Sequence, residues 1–290
     1  MQFDLVCDGY CFLEAPRTQG ENLWFTDLLL GGVYRRKPDG HVDVFMPENK
    51  HVGGLAINRD GRMICGGAGG LKWLDPDSGQ WDWLLDTIDG VKLAGTNDFL
   101  PDGRGGLWFG TLSRAEYGQP PTTTELYNID CAGRTTLAAE GLSFANGVGL
   151  SPDGKRLYHV ESLRGIFVHD VNDDGTLGPR MLFSDRQDGD GCAVDMDGGL
   201  WVAGCMSGEI ARYNPDGTLD RTVKFPHAQI ASVAFGGPDW RDMYVVTAGN
   251  TGIDEMMAGR MPKREAGIFH ARSEVPGVSV PMTDFALPSR

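Results

Sequence analysis

The stretch Leu150-Ser151-Pro152-Asp153-Gly154-Lys155-Arg156-Leu157-Tyr158, continued by Gly165-Ile166-Phe167-Val168 and then Asp174-Gly175, holds the pattern that decides the fold. Two Asp-Gly pairs alternate with short apolar runs. Asp-Gly suits a tight hairpin, because such a turn needs a positive φ at its centre. The same unit recurs outward in both directions. One turn series runs Gln19-Gly20, Asp60-Gly61, Asp102-Gly103, Asp153-Gly154 and Asp197-Gly198, with glycines 41, 42, 51 and 44 residues apart. A sixth member, without its glycine, falls in Pro238-Asp239-Trp240-Arg241. Apolar runs such as Leu23-Trp24-Phe25, Leu107-Trp108-Phe109 and Leu200-Trp201-Val202 follow these turns. A second series lies midway: Asp39-Gly40, Ser78-Gly79, Ala132-Gly133, Asp174-Gly175, Asp216-Gly217 and Pro276-Gly277. Two hairpin turns in a repeat of about 40–45 residues mean four antiparallel strands, which is one propeller blade. The chain is therefore expected to be all-β, a six-bladed β-propeller of four-stranded antiparallel blades filling residues 1–290 as a single domain. A two-sheet sandwich would not require a six-fold repeat.

The bulk properties agree with this and exclude other classes. The chain has 290 residues, 41% hydrophobic, with 42 glycines and no G-X-Y period. A net charge of −14, spread along the chain, disfavours nucleic acid and anionic membranes as partners. The six cysteines form no C-x-x-C pair, no run reaches 18 apolar residues, and Met1-Gln2-Phe3-Asp4 lacks a basic leader. A soluble, cytoplasmic protein is expected, with reduced thiols and a small-molecule partner; oligomeric state is not legible. There is no G-x-S-x-G, and Gly66-Gly67-Ala68-Gly69-Gly70 lacks the lysine and helix of a phosphate cradle. The two longest spacings suggest insertions at Tyr117–Thr124 and Gly249–Glu265, the latter carrying Met256, Met257 and Met261 as a candidate apolar lid.

In a propeller the innermost strand of each blade lines the channel. Glu14 and Asn97 lie six residues before the first-series glycine of their blades, and Asn146 and Asp190 eight before theirs. Four oxygen-bearing side chains from blades 1, 3, 4 and 5 are thus expected to converge. Converging carboxylates repel and lose hydration unless a cation compensates. Two carboxylates and two amides are hard ligands, so one divalent cation is expected: Ca²⁺ first, with Mg²⁺, Mn²⁺ and Zn²⁺ as other choices.

Five stretches carry a family likeness: Glu14-Ala15-Pro16-Arg17 with Leu23-Trp24-Phe25-Thr26-Asp27; Asn97-Asp98 with Pro101-Asp102-Gly103-Arg104; Asn146-Gly147-Val148-Gly149-Leu150-Ser151-Pro152-Asp153-Gly154; Asp190-Gly191 with Leu200-Trp201-Val202-Ala203; and Ala234-Phe235-Gly236-Gly237-Pro238-Asp239. In these the chain resembles the regucalcin/gluconolactonase/luciferin-regenerating family of six-bladed propellers. The resemblance implies that Glu14, Asn146 and Asp190 hold the metal, with Asn97 beside the metal or substrate. It further implies a metal-dependent hydrolase opening a lactone or similar ester, with Asp190 as general base. His51, just before Gly53-Gly54, is a candidate to protonate a leaving alkoxide or orient substrate; Arg17, Met206 and Ser232 are candidates for substrate contact. Three positions depart from the family pattern. Gly95 stands where the sugar-lactone enzymes commonly carry an arginine, Thr18 where a tryptophan is usual, and Gly189 where a proline is. The first removes an anchor for sugar hydroxyls. It keeps open a non-sugar lactone, a phosphotriesterase or arylesterase, and a non-hydrolytic lyase, isomerase or dehydratase acting on a carbonyl compound.

Overall fold

A computed structural model describes residues 1–113, 123–227, 229–249 and 263–289, and contains no helix among them. The expected insertions lie largely outside these residues, and Met256, Met257 and Met261 lie wholly outside them. Six antiparallel sheets form the six blades. Their innermost strands are Leu13–Gln19, Leu55–Ile57, Gly95–Pro101, Ala145–Leu150, Gly189–Val194 and Ile230–Gly236. Each leads through a first-series turn to a largely buried second strand, fully buried in Leu107–Thr111 and Leu200–Gly204. These second strands hold Trp24, Trp108 and Trp201 between neighbouring blades, each almost without solvent contact. Burying such side chains from both faces is the main apolar stabilisation of a propeller.

Three features of the topology differ from the reading of the turns. The fourth strand of blade 6 does not come after Pro276-Gly277. It is Asp4–Tyr10 at the start of the chain, paired with Ala266–Arg272, so the ring closes with strands from both ends. Turn spacing could not reveal this, because the closing strand lies a whole chain away. Second, Gly67–Ala68 pairs with Gly95–Thr96 and adds a fifth strand to the channel side of blade 3. The glycine-rich run is thus a sheet contact between blades. Third, the chain after Ser273 runs as a strap across the turn end of the channel. Gly277 N–H donates to Trp240 O (2.7 Å), Val278 N–H to Val194 O (2.8 Å) and Asp284 N–H to Gly105 O (2.8 Å). The buried Asn58 amide oxygen accepts from Thr283 Oγ1 and Phe285 N–H, both at 2.9 Å.

Phe285 ends the strap inside the core of blades 2 and 3, beside Ile64, Leu107 and Phe109. Phe285→Ala is expected to destabilise the protein by about 3–5 kcal/mol, through lost transfer energy and an unfilled cavity. Urea unfolding would check this: the midpoint should fall at unchanged slope.

Candidate active site

Side chains reach the channel mouth through irregularities in the inner strands. In blades 1, 3, 4 and 5 the ladder to the second strand gains one extra residue near its start. The shifts lie between Glu14 and Arg17, Thr96 and Phe99, Ala145 and Val148, and Gly189 and Cys192. A bulge turns successive side chains out of the alternating pattern and increases local twist. Asn97, Asn146 and Asp190 are each the first unpaired residue of their bulge. Glu14 is still paired, to Thr26, one register position earlier. The four candidates therefore share a region of the blade and not a single position. Counting back from the turn could not separate the two, because a bulge shifts the count.

All four side chains are buried. Glu14 and Asp190 lie close enough to disturb one another. Burial first, then Asp190 and Asp98, push the Glu14 carboxyl well above its usual range. Burial and then Asp98 do the same to Asp190. Glu14 Oε2 has no hydrogen-bond partner. A buried, unsatisfied carboxylate oxygen beside a second buried carboxyl is costly unless a cation faces both. Asn146 completes this side: its amide nitrogen donates to Ser162 Oγ (2.6 Å), and its oxygen accepts a close contact from the Asn97 amide nitrogen. Asn97 also donates to Ala145 O (2.8 Å). Asn97 thus braces the Asn146 oxygen, which keeps a second lone pair for a ligand. Ser162 donates to Gly189 O (2.6 Å) and so ties blade 4 to the residue before Asp190.

The donor set fits a hard divalent cation: Glu14, Asn146 and Asp190 would hold it, and Asn97 would steady Asn146. Among the described residues no cluster of three or more His, Cys, Asp or Glu side chains has metal-site geometry. Any site here depends on two carboxylates and amide oxygen. Because Ser162 aims the Asn146 amide, Ser162→Ala is expected to weaken the affinity for any divalent cation held by this donor set about 10- to 100-fold. Titration calorimetry of the purified protein would check it, and unchanged affinity would deny Ser162 that role.

The other candidates are scattered around this centre. Arg17 lies deeper in the channel, further along the same inner strand of blade 1, where its charge acts on Asp98 and Glu14. Ser232, on the inner strand of blade 6, is buried against Gly191; a side chain at Gly191 would collide with its hydroxyl. Met206 is exposed on a loop beside Cys205. Burial first, then Asp190 and Asp188, push the Cys205 thiol up to about 12. His51 sits on the blade 2 side, two residues before Gly53, whose backbone abuts Asn97 Oδ1. No described hydrogen bond joins its ring to the ligand candidates. Although His51 is exposed as a residue, shielding of its ring, then the charge of Lys50, hold it below the usual imidazole value. At neutral pH it is an uncharged ring, better suited to orienting a substrate than to giving up a proton.

Two residues of this region were not singled out in the sequence. Asp98 follows Asn97 in the same bulge, and burial pushes its carboxyl up to about 7 against the opposing pull of Arg17. Cys192 faces the same charges from blade 5. Below this layer a cavity runs down to the strap. Leu100, Val148, Val194, Val278 and Val280 wall it with mostly apolar side chains, and Arg17 reaches into it from blade 1.

The model of the SMP-30/Gluconolactonase/LRE-like region matches residues 14–249. A 6-deoxy-6-sulfogluconolactonase of Pseudomonas putida is 28% identical, covering 94% of both chains. A regucalcin of Xenopus laevis is 35% identical, covering 91% of this chain and 92% of its own. Among solved structures, a calcium-binding regucalcin of Agrobacterium tumefaciens superposes with a TM-score of 0.83 at 22% identity, over 97% of each chain.

Proposed function

The chain belongs to the SMP-30/gluconolactonase/LRE-like family, and from that premise we propose that it hydrolyses a lactone to the hydroxy acid with the help of one divalent cation. The observation that carries the metal part is the unpartnered Glu14 oxygen near Asp190: burial and neighbouring carboxylates (Asp190 and Asp98 for Glu14, Asp98 for Asp190) oppose the charged form of both groups, and a cation facing them would offset that cost. The lactone part is supported by the relatives, among them a sulfogluconolactonase. Ca²⁺ is the favoured ion, because the donors are all hard oxygens.

When bound, the cation supplies Lewis-acid polarisation of the carbonyl and an acidified water. The chain's own residues do the rest. Asp190 accepts the proton of the attacking water as general base. Glu14, from blade 1, would offset part of the cation's charge. Asn97 and Ser162 hold the Asn146 amide in one orientation, so that the reacting carbonyl meets a preformed site. Water adds to the carbonyl carbon, the ring C–O bond breaks, and the alkoxide leaves with a proton from solvent or Asp190. Ser232, Met206 and His51 around the mouth and Arg17 further in are proposed to contact substrate, with His51 in its neutral form.

The test is metal analysis of protein purified without chelator, joined to a lactone panel followed by acid release. Chelation with EDTA should abolish turnover and Ca²⁺ should restore it. Turnover indifferent to chelator would remove the metal from the mechanism. Conversion of a carbonyl compound without addition of water would remove hydrolysis.

A further inference from the structure

The mouth is unevenly lined. On the blade 3 side, Gly95 presents no side chain and has no room for one. A Cβ there would stand 2.6 Å from Gly67 O and 2.7 Å from Leu112 Cδ1. The extra strand Gly67–Ala68 fills that space, and Leu112 N–H donates to Gly95 O (3.0 Å), which fixes Leu112 at the rim. Phe144, two residues before Asn146, is 37% exposed; Leu163, next to Ser162, is 65% exposed. Met206, next to Cys205, is 51% exposed. Exposed apolar side chains grouped beside a polar centre are what a ligand-binding groove requires.

The backbone holds this rim in place. Ser162 N–H donates to Phe144 O (3.2 Å), and Leu163 N–H to Gln187 O (2.7 Å). Cys205 N–H donates to Asp188 O (2.9 Å), which links the Met206 loop to the same segment. Leu163 has a φ of 70°, a left-handed conformation unfavourable for a branched side chain. Such strain persists where surrounding contacts impose it, and it concentrates at ligand clamps. Here it holds a leucine outward at the mouth.

Resting on the lactonase reading, we infer that the substrate is a lactone whose ring carries an apolar alkyl or aryl substituent, laid across Leu112, Phe144, Leu163 and Met206. The ring carbonyl then faces Glu14, Asn146 and Asp190. A polyhydroxylated ring fits this side poorly, because these side chains offer no strong partner for its hydroxyls, and an unpaired hydroxyl is penalised on desolvation.

The test compares kcat/KM of the Ca²⁺-loaded protein for δ-gluconolactone, γ-butyrolactone, γ-heptalactone and γ-nonalactone. We expect about a two- to fourfold gain per added methylene over the first few carbons, as apolar area is covered. γ-Nonalactone should exceed γ-butyrolactone at least tenfold, with δ-gluconolactone the poorest. Leu163→Asn keeps a residue tolerant of the left-handed backbone, and Phe144→Ser removes the ring. Each should reduce the nonalactone-to-butyrolactone ratio by fivefold or more. A flat chain-length series, a preference for δ-gluconolactone, or an unchanged ratio in both variants would overturn the inference and leave the lactonase reading standing. Hydrolysis of none of the four would overturn both.

Discussion

Asp190→Asn is expected to lower kcat/KM for a lactone by about 10³-fold or more, the range for loss of a positioned general base, in a protein that keeps its six blades. The substitution is isosteric, so it removes charge and basicity without opening a cavity. It also separates two roles. Asp190 is buried against Glu14 and Asp98, and both burial and Asp98 oppose its ionisation. In chelator, removing the carboxyl relieves that opposition, and the melting temperature should hold or rise. With Ca²⁺ the sign reverses: the wild-type protein gains stability by mass action, whereas the variant loses a ligand and gains little. Melting curves with and without Ca²⁺, set beside turnover, would distinguish a catalytic and ligand role from a structural one. Near-normal activity in the variant would refute the assignment.

A large expected loss of stability lies at the opposite end of the channel. Asp195 is fully buried at the first turn of blade 5. It accepts from Arg212 Nε (2.7 Å), Trp201 Nε1 (2.7 Å) and Gly199 N–H (2.8 Å). Asp195→Ala strands the Arg212 guanidinium and the Trp201 indole N–H at once. Breaking one side of a buried pair costs about 3–5 kcal/mol. Arg212 keeps Asp220 at 3.1 Å, which places the expected cost toward the lower end. Equilibrium unfolding should show it, and Asp195→Asn should recover part by keeping an acceptor for the indole. A loss below about 1 kcal/mol for Asp195→Ala would mean that Asp220 and water replace the lost partner.

The blades were legible because Asp153-Gly154 and its counterparts are local signals: each turn states its own geometry within four residues. Glu14, Asn146 and Asp190 were legible because symmetry converts repeated placement along the chain into convergence in space. Asp98 was not. Alternation along a strand sends neighbours to opposite faces, so choosing Asn97 for the channel directs Asp98 away from it. The bulge between Thr96 and Phe99 suspends that rule. The pairing of Gly67–Ala68 with Gly95–Thr96 was equally hidden, since nothing in a glycine-rich run names its partner. Yet that pairing explains a sequence oddity: Gly95 is a glycine because another strand occupies the place of its side chain.

The closing strand Asp4–Tyr10 has a consequence for how the protein comes into being. It is synthesised well before its partner Ala266–Arg272, roughly 260 residues further along the chain, and cannot dock until that partner emerges. At about 5–20 residues per second, the wait is on the order of 10–50 s. During that time a strand meant for a sheet edge has nothing to pair with, and unpaired edges recruit other chains. Asp4 and Asp8 place negative charge on this segment, and both remain exposed once the ring has closed. The acidic pair can thus act as a gatekeeper for the nascent chain, keeping the segment in water until the sixth blade is ready to take it in.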